Sequence, residues 1–396
     1  MSPAEIALVT YSTKPRGGVV HTLALAEALT AIGVPVHIVA LAEPGSDFFR
    51  TTTAPYTLVP APPRLDNLEA RVFASVDALE AGLRSFGDRF GLVHTQDCIS
   101  ARAAARVRDA GLGPPVVRTV HHIDDFTTQA LIDCQRQAVL EPDFVVVVSE
   151  VWRDTLRAQF NVDATVVHNG VDVERFAPVA PSRREELRSR VATRDRFLFL
   201  SVGGVEPRKG SIFLFEALAR LHGRMDPAPA LAVIGGHSFQ DYKQYRDFAL
   251  GRIDELGLRL GRDVVLLGTV ADSEMAAWYR AADALAFPST KEGFGLAILE
   301  AMSAELPVVA SDLPVFREFL VPGRDALMPA VGDITALADA LHTVATDASL
   351  RAQLARAGRE VANRFTWQTC AEEHRALYAR LQRTADNRAT ACTLQA

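Results

Sequence analysis

Short apolar runs alternate with amphipathic stretches along the whole chain. Ile6–Thr10, Val36–Leu41, Leu92–Thr95, Val116–Val120, Phe144–Val148 and Thr165–Val167 are β-branched, brief and uninterrupted by polar alternation. That pattern predicts strands buried on both faces. Between them, Val20–Ile32 places Leu23, Ala26, Leu29 and Ile32 on one helical stripe, and Arg102–Ala110 and Gln129–Leu140 predict further helices. The rhythm restarts after Pro178, with strands expected at Phe197–Val202, Ala230–Ile234, Val264–Leu267, Ala284–Phe287 and Pro307–Ala310. Strand–helix alternation predicts α/β architecture with parallel, doubly wound sheets, and two such series predict two similar domains. The break falls in Asn169–Pro181, where Asn-Gly and two prolines interrupt regular structure. The expected division is therefore residues 1–172, a linker at 173–181 and a second domain at 182–365. A helical pattern follows over 366–383, and residues 384–396 look loosely ordered. No internal repeat or low-complexity tract is visible.

Composition narrows the class. The chain has 396 residues, more than one ordinary core holds, with 48% hydrophobic and 23% charged residues, a normal globular balance. A net charge of −6 implies no general attraction to nucleic acid or to an anionic membrane. The first apolar run, Ile6–Val9, is too short for a secretory core, and no later run reaches the length of a membrane span. A cytoplasmic chain without a transmembrane segment is expected. Cys98, Cys134, Cys370 and Cys392 lie far apart without a CxxC pairing, the pattern of free thiols rather than of disulfides or a zinc site.

The strongest chemical motif is Glu292-Gly-Phe-Gly-Leu-Ala-Ile-Leu-Glu300, which follows an expected strand and opens an expected helix. Gly293 and Gly295 allow a tight turn and close backbone approach to a ligand. The first N–H groups of the helix, from Gly293 and Phe294 through Leu296, lack intrahelical partners and suit a diphosphate. Glu292 sits in the loop within reach of sugar hydroxyls, and Glu300 can accept hydrogen bonds from ribose hydroxyls. As bare spacing, two glutamates eight apart say little; the loop, the glycines and the following Pro-Val-Val-Ala-Ser-Asp give them meaning.

This segment resembles the signature of retaining glycosyltransferase family 4, whose members have the GT-B fold, and further motifs of that family occur in order along nearly the whole chain. The resemblance implies two Rossmann-like domains, the first binding the acceptor and the second the nucleotide-sugar donor, with the last helix crossing back onto the first domain. Gly17-Gly18 after the first strand resembles the family's loop near donor phosphates or acceptor; a plain turn has the same sequence. His121 in "VRTVHHIDDF" stands where the family places a histidine against the transferred sugar. His122, Asp124 and Asp125 could reach an acceptor, although the aspartate pair reads better as a solvated helix cap. "VVHNGVDVERFAP" resembles the interdomain segment, with Asn169, Gly170 and Asp172 structural. Lys209, before Gly210 at a helix start, can oppose a diphosphate whose charge grows as the donor bond breaks. Gly268–Val270 resembles the backbone that frames the nucleobase.

One departure stands out. Where the family usually carries an arginine, this chain has Gly204, so a phosphate-facing cation is missing from its usual place, and Arg208 is the substitute nearest in sequence. The arginines Arg183, Arg184, Arg188, Arg190 and Arg194, broken by Glu185 and Glu186, read as a solvated helix face. Leu68–Phe90 mixes Arg71, Arg84 and Arg89 with Glu69, Asp77, Glu80 and Asp88, which is not the basic face of a membrane-surface helix. Hydrolase elbows, HExxH, P-loop and dinucleotide fingerprints are absent, and no Asp-x-Asp metal motif falls at a strand end. The function implied is glycosyl transfer from a nucleoside-diphosphate sugar to a small-molecule, glycan or lipid-linked acceptor, with no metal or other cofactor. An epimerase or hydrolase on the same fold, or an inactive nucleotide-sugar binder, are the alternatives.

Overall fold

The computed structural model describes residues 5–191, 195–236 and 242–393, the last of these without side chains beyond residue 381. The chain divides into two compact units, Met1–Gly170 with Trp367–Ala396, and Val171–Thr366.

The first unit carries β1 (Glu5–Thr10), β2 (Val36–Ala42), β3 (Tyr56–Pro60), β4 (Phe90–Thr95), β5 (Val116–Val120), β6 (Phe144–Val147) and β7 (Thr165–Val166). They form one sheet in the order β3-β2-β1-β4-β5-β6-β7, and every pairing is parallel. Helices α1 (Gly17–Ala31), α2 (Leu68–Arg84), α3 (Cys98–Asp109), α4 (Gln129–Leu140) and α5 (Glu150–Phe160) make the connections. The strand reversal falls at β1, whose two neighbours are β2 and β4, so ligand chemistry is expected at the carboxyl ends of β1 and β4. Among the described strands, only β3 escapes the sequence pattern: it is an edge strand, exposed at Tyr56 and ending on Pro60, with no continuous apolar run to betray it.

The second unit holds β8 (Leu198–Val202), β9 (Ala230–Ile234), β10 (Val264–Gly268), β11 (Ala284–Phe287) and β12 (Val308–Ala310), again all parallel, in the order β10-β9-β8-β11-β12. Its helices are α6 (Pro181–Arg190), α7 (Ser211–His222), α8 (Lys243–Glu255), α9 (Asp272–Ala281), α10 (Leu296–Ser303), α11 (Pro314–Arg317), α12 (Ile334–Thr346) and α13 (Ala348–Ala362). Phe199, Phe215, Leu218, Leu231, Ile253 and Leu341 are among the residues that fill its core between sheet and helices.

Three expectations change. Residues 173–181 are not a free linker: they cluster with the second unit, which begins at Val171, Phe176 is buried against Tyr279, and Pro181 is already the first residue of α6. The described arginines of α6 are ion-paired across the unit rather than a plain solvated face, although Arg190 stays exposed. Arg188 is buried and bonds Asp283 at 2.9 Å and the Ala281 carbonyl, Arg184 bonds Asp283 at 2.7 Å, and Arg183 and Arg190 share Glu274 on α9. Composition shows charge but not the carboxylates waiting on α9 and just before β11. Arg194 lies outside the described residues. Finally, the last helix, α14, runs Trp367–Thr393, so 384–393 extend it; 394–396 lie outside the described residues. Its Cys370, Ala371, Leu377, Tyr378 and Leu381 are buried in the core of the first unit with Leu23, Leu25 and Leu29 of α1.

Candidate active site

In the second unit the glycine-bearing loops after β8, β9 and β10, and the motif after β11, all leave the carboxyl edge of one parallel sheet. Gly235 donates its N–H to the Gly268 carbonyl at 2.9 Å, and Gly203 donates to Ile234 at 2.7 Å. A Cβ at Gly204 would lie 2.5 Å from the Gly236 carbonyl oxygen, so the arginine usual in the family does not fit this backbone. Gly268 takes φ +64° at the end of β10, with Val270 half-buried beyond it.

The loop from β11 reaches Gly295, which has φ +105° and N-caps α10; a Cβ there would meet the Phe316 ring at 2.8 Å. Phe294 is buried between the rings of Phe319 and Phe365, at centroid distances of 5.2 and 5.8 Å. Its side chain therefore anchors the loop, and any ligand contact from this residue runs through the main chain.

Lys209 ends a one-turn 3-10 segment, Pro207–Lys209, and its stem lies over Gly203, where a Cβ would be 2.6 Å from Lys209 Cε. Its ammonium donates to Glu292 Oε1 at 2.7 Å and sits 4.6 Å from the centre of the Phe287 ring. Ser289 donates to the same oxygen at 2.9 Å, and Arg208 Nη1 lies 3.4 Å from it while its Nε pairs with Glu206 at 3.2 Å. Burial pushes the Glu292 carboxyl up, but the Lys209 and Arg208 charges outweigh it and hold the group below the ordinary carboxylate range. Burial draws the Lys209 ammonium down despite Glu292. Arg208 thus faces the same carboxylate as Lys209. Further along α10, Glu300 accepts a 2.6 Å hydrogen bond from the hydroxyl of fully buried Tyr279, and burial raises its carboxyl pKa.

In the first unit, Gly17 and Gly18 open α1, whose N-cap Arg16 gives no side-chain cap. A Cβ at Gly18 would lie 3.8 Å from the His121 ring, so the structure brings these two expected site residues together. His121 follows β5; its Nε2 is 3.2 Å from Gln96 Oε1, and its ring packs edge-on to His21 at 4.8 Å. Burial, with smaller contributions from His122, Arg118 and His374, lowers its pKa to about 3. His21 in turn bonds Asn169 Oδ1 at 2.8 Å, which gives that asparagine its structural role. His122 Nε2 lies 3.3 Å from Asp124 Oδ1, and α4 is preceded by Thr128, so the aspartate pair does not cap a helix. Gln96 and His21 belong to no motif read from the chain, and Tyr279, in the segment that follows Gly268–Val270, is given no role by it. Gln96 two residues past the buried histidine His94 at a strand end, and Trp-Tyr on the apolar stripe of α9, are the only traces they leave.

Two units built on parallel Rossmann-like sheets, the second carrying a lysine–glutamate pair at the loop before a helix start, have the architecture of the GT-B glycosyltransferases. Residues 15–175 match the family description "Glycosyltransferase Family 4" and residues 182–361 match "Glycosyl transferases group 1". The chain is 30% identical to a phosphatidyl-myo-inositol mannosyltransferase of Mycobacterium leprae over 93% of this chain and 94% of that one. It is 32% identical to a D-inositol 3-phosphate glycosyltransferase of Saccharomonospora viridis, over 70% of this chain and 67% of the relative. Among solved structures it is similar to sucrose-phosphate synthase from Thermosynechococcus elongatus, with a TM-score of 0.80, 24% identity and coverage of 96% and 99%. Anabaena HepE in complex with UDP and glucose gives a TM-score of 0.78, 21% identity and coverage of 95% and 99%; these two likenesses bear on the fold. The chain belongs to glycosyltransferase family 4, and it is a glycosyltransferase. Among the described residues no helix is long and apolar enough to cross a membrane.

Proposed function

We propose that this enzyme takes a sugar from a nucleoside diphosphate and transfers it, with retention of anomeric configuration, to a hydroxyl of its acceptor. The observation that carries the reading is the Lys209 ammonium held 2.7 Å from Glu292 at the loop that opens α10. A diphosphate beside that loop gains the ammonium of Lys209, the guanidinium of Arg208 and the amides of Gly293, Gly295 and Leu296. These groups oppose the charge that develops on the leaving nucleotide, where one well-placed donor contributes about 3 kcal/mol. In this reading they take the part that a metal has in other transferases, and turnover persists in chelator. Glu292 orients the sugar hydroxyls, Glu300 accepts from the ribose, and Gly268–Val270 borders the base. His121 and the Gly17–Gly18 turn serve the transferred sugar and the acceptor side in the first unit. Retention follows the family resemblance. HepE, solved with UDP and glucose, supports the donor class. The relatives' names make inositol-bearing compounds the first acceptors to try.

Melting-temperature shifts with UDP-, GDP-, ADP- and TDP-sugars identify the donor, because a ligand bound only by the folded chain raises the transition. With that donor, Glu300→Ala is expected to weaken nucleotide affinity by about tenfold, whereas Glu292→Ala lowers turnover with little change in nucleotide affinity. Calorimetric titration and a turnover assay separate the two, and unchanged nucleotide affinity in Glu300→Ala removes the ribose assignment.

A further inference from the structure

We propose that Gln96 is a positioning residue for His121: its side-chain carbonyl accepts the Nε2–H and so fixes the tautomer in which Nδ1 presents a lone pair to a substrate hydroxyl. The inference rests on the reading of His121 as a sugar- or acceptor-facing group and specifies what that group can do. Gln96 follows β4 and His121 follows the adjacent β5, so the parallel pairing of the two strands sets both at one sheet edge. Gln96 is 3% exposed, and its main-chain N–H is tied to the Val9 carbonyl at 3.0 Å. Its side-chain oxygen lies 3.2 Å from His121 Nε2, and its main-chain oxygen borders Gly18.

The other ring nitrogen is in a different state. Among the described residues no protein group bonds His121 Nδ1, and that atom is not buried, unlike His21 Nε2 and His374 Nε2 nearby. With Nε2 protonated toward Gln96, Nδ1 can only accept. The groups around the ring are His21, His122, Arg118 and His374, and none of them is a carboxylate that would favour the imidazolium. A neutral ring with a fixed acceptor suits holding and aligning a hydroxyl donor, such as a sugar or acceptor OH. It does not suit carrying a proton through the cycle. The buried amide nitrogen of Gln96 has no partner, so the contact to His121 is the only side-chain hydrogen bond that Gln96 makes among the described residues.

Long-range proton–nitrogen NMR of the full chain with labelled histidine reads the tautomer, and His121→Asn assigns the signal. Wild type is expected to carry its proton on Nε2. Gln96→Leu should give a mixture of tautomers, with turnover reduced by up to about 100-fold and donor KM changed less than about twofold. Gln96→Glu should keep the Nε2–H form, restore part of the turnover and raise the His121 pKa by about one unit or more, because a carboxylate favours the imidazolium. A wild-type proton on Nδ1 overturns the proposal. So does a Gln96→Leu tautomer identical to wild type or, where the leucine variant does not fold, an unmoved pKa in Gln96→Glu. Binding of UDP or GDP to the second unit, titrated on the same samples, reports on the diphosphate reading separately: it can fail while the tautomer result stands, and the reverse.

Discussion

Single residues set the chemistry through contacts that no motif spells out. Glu300 is recognisable by its spacing from Glu292, but its state depends on Tyr279, which donates a 2.6 Å bond from a fully buried position. Burial, with a smaller push from the Asp272 charge, drives the Glu300 carboxyl upward, and this hydrogen bond opposes the rise. Tyr279→Phe therefore raises the folded-state pKa further. Nucleotide affinity in the variant is expected to fall by about tenfold and to fade on acidification at a higher pH than in wild type. Titration of the nucleotide across the acid range checks this; superimposable pH profiles for the two proteins would remove Tyr279 from the ribose site. Gly204 shows the opposite relation. Its departure from the family is plain in the chain, yet its reason is steric: a carbonyl oxygen 2.5 Å from the missing Cβ. Arg208, which pairs with Glu206 beside Gly204 and lies 3.4 Å from Glu292, supplies a guanidinium to the same loop cluster.

At the scale of elements, helix α14 is held to the first unit by apolar packing and by a group of buried imidazoles. His94 bonds the hydroxyls of Tyr378 at 2.6 Å and Thr119 at 2.7 Å, and His374 Nδ1 donates to the Cys370 carbonyl at 2.8 Å. His21 packs against Trp367 and His121. Burial lowers the pKa of all four histidines, to about 3 for His121 and about 4 for His374, with His21 and His94 well below the ordinary value. An unfolded histidine titrates near 6.5, so between that pH and the folded values the unfolded chain binds more protons. Stability contributed by these neutral rings is complete above about pH 6.5 and declines on acidification, by about 1.4 kcal/mol per pH unit for each group. Denaturant unfolding of the first unit is expected to weaken steeply from pH 6.5 to 4.5. Substituting His94→Gln and His374→Gln together should flatten that slope; an unaltered slope would mean that other groups govern the acid transition.

At the scale of the molecule, the two units differ in how the chain completes them. The second is contiguous, Val171–Thr366, and keeps its whole core when the ends are removed. The first needs a return of the chain, because Cys370, Ala371, Leu377, Tyr378 and Leu381 cover α1 from the far end of the sequence. A chain ending at Thr366 is expected to retain a cooperative second unit that still binds nucleotide, while the first unit loses its folded transition. Calorimetry and limited proteolysis test this, and a protease-resistant first unit without α14 would show that the helix is dispensable.

Much of this was legible in order of residues. Strand periodicity placed the strands, apart from β3, within a residue or two, since runs buried on both faces are apolar throughout and interrupted by turns. The Glu292–Glu300 loop was legible because glycine is required where the backbone turns through positive φ, as at Gly295. What the chain could not show is long-range pairing. The α6 arginines look solvent-facing until Asp283 and Glu274 are brought beside them, and residues 173–181 look like a linker until Phe176 packs against Tyr279. Local sequence determines the elements and the exposed amides of a helix start, because those follow from short-range sterics and hydrogen bonding. The partners of Lys209, His121 and Glu300 were decided only by the tertiary structure, because a charge or a ring takes its state from whatever the fold packs against it.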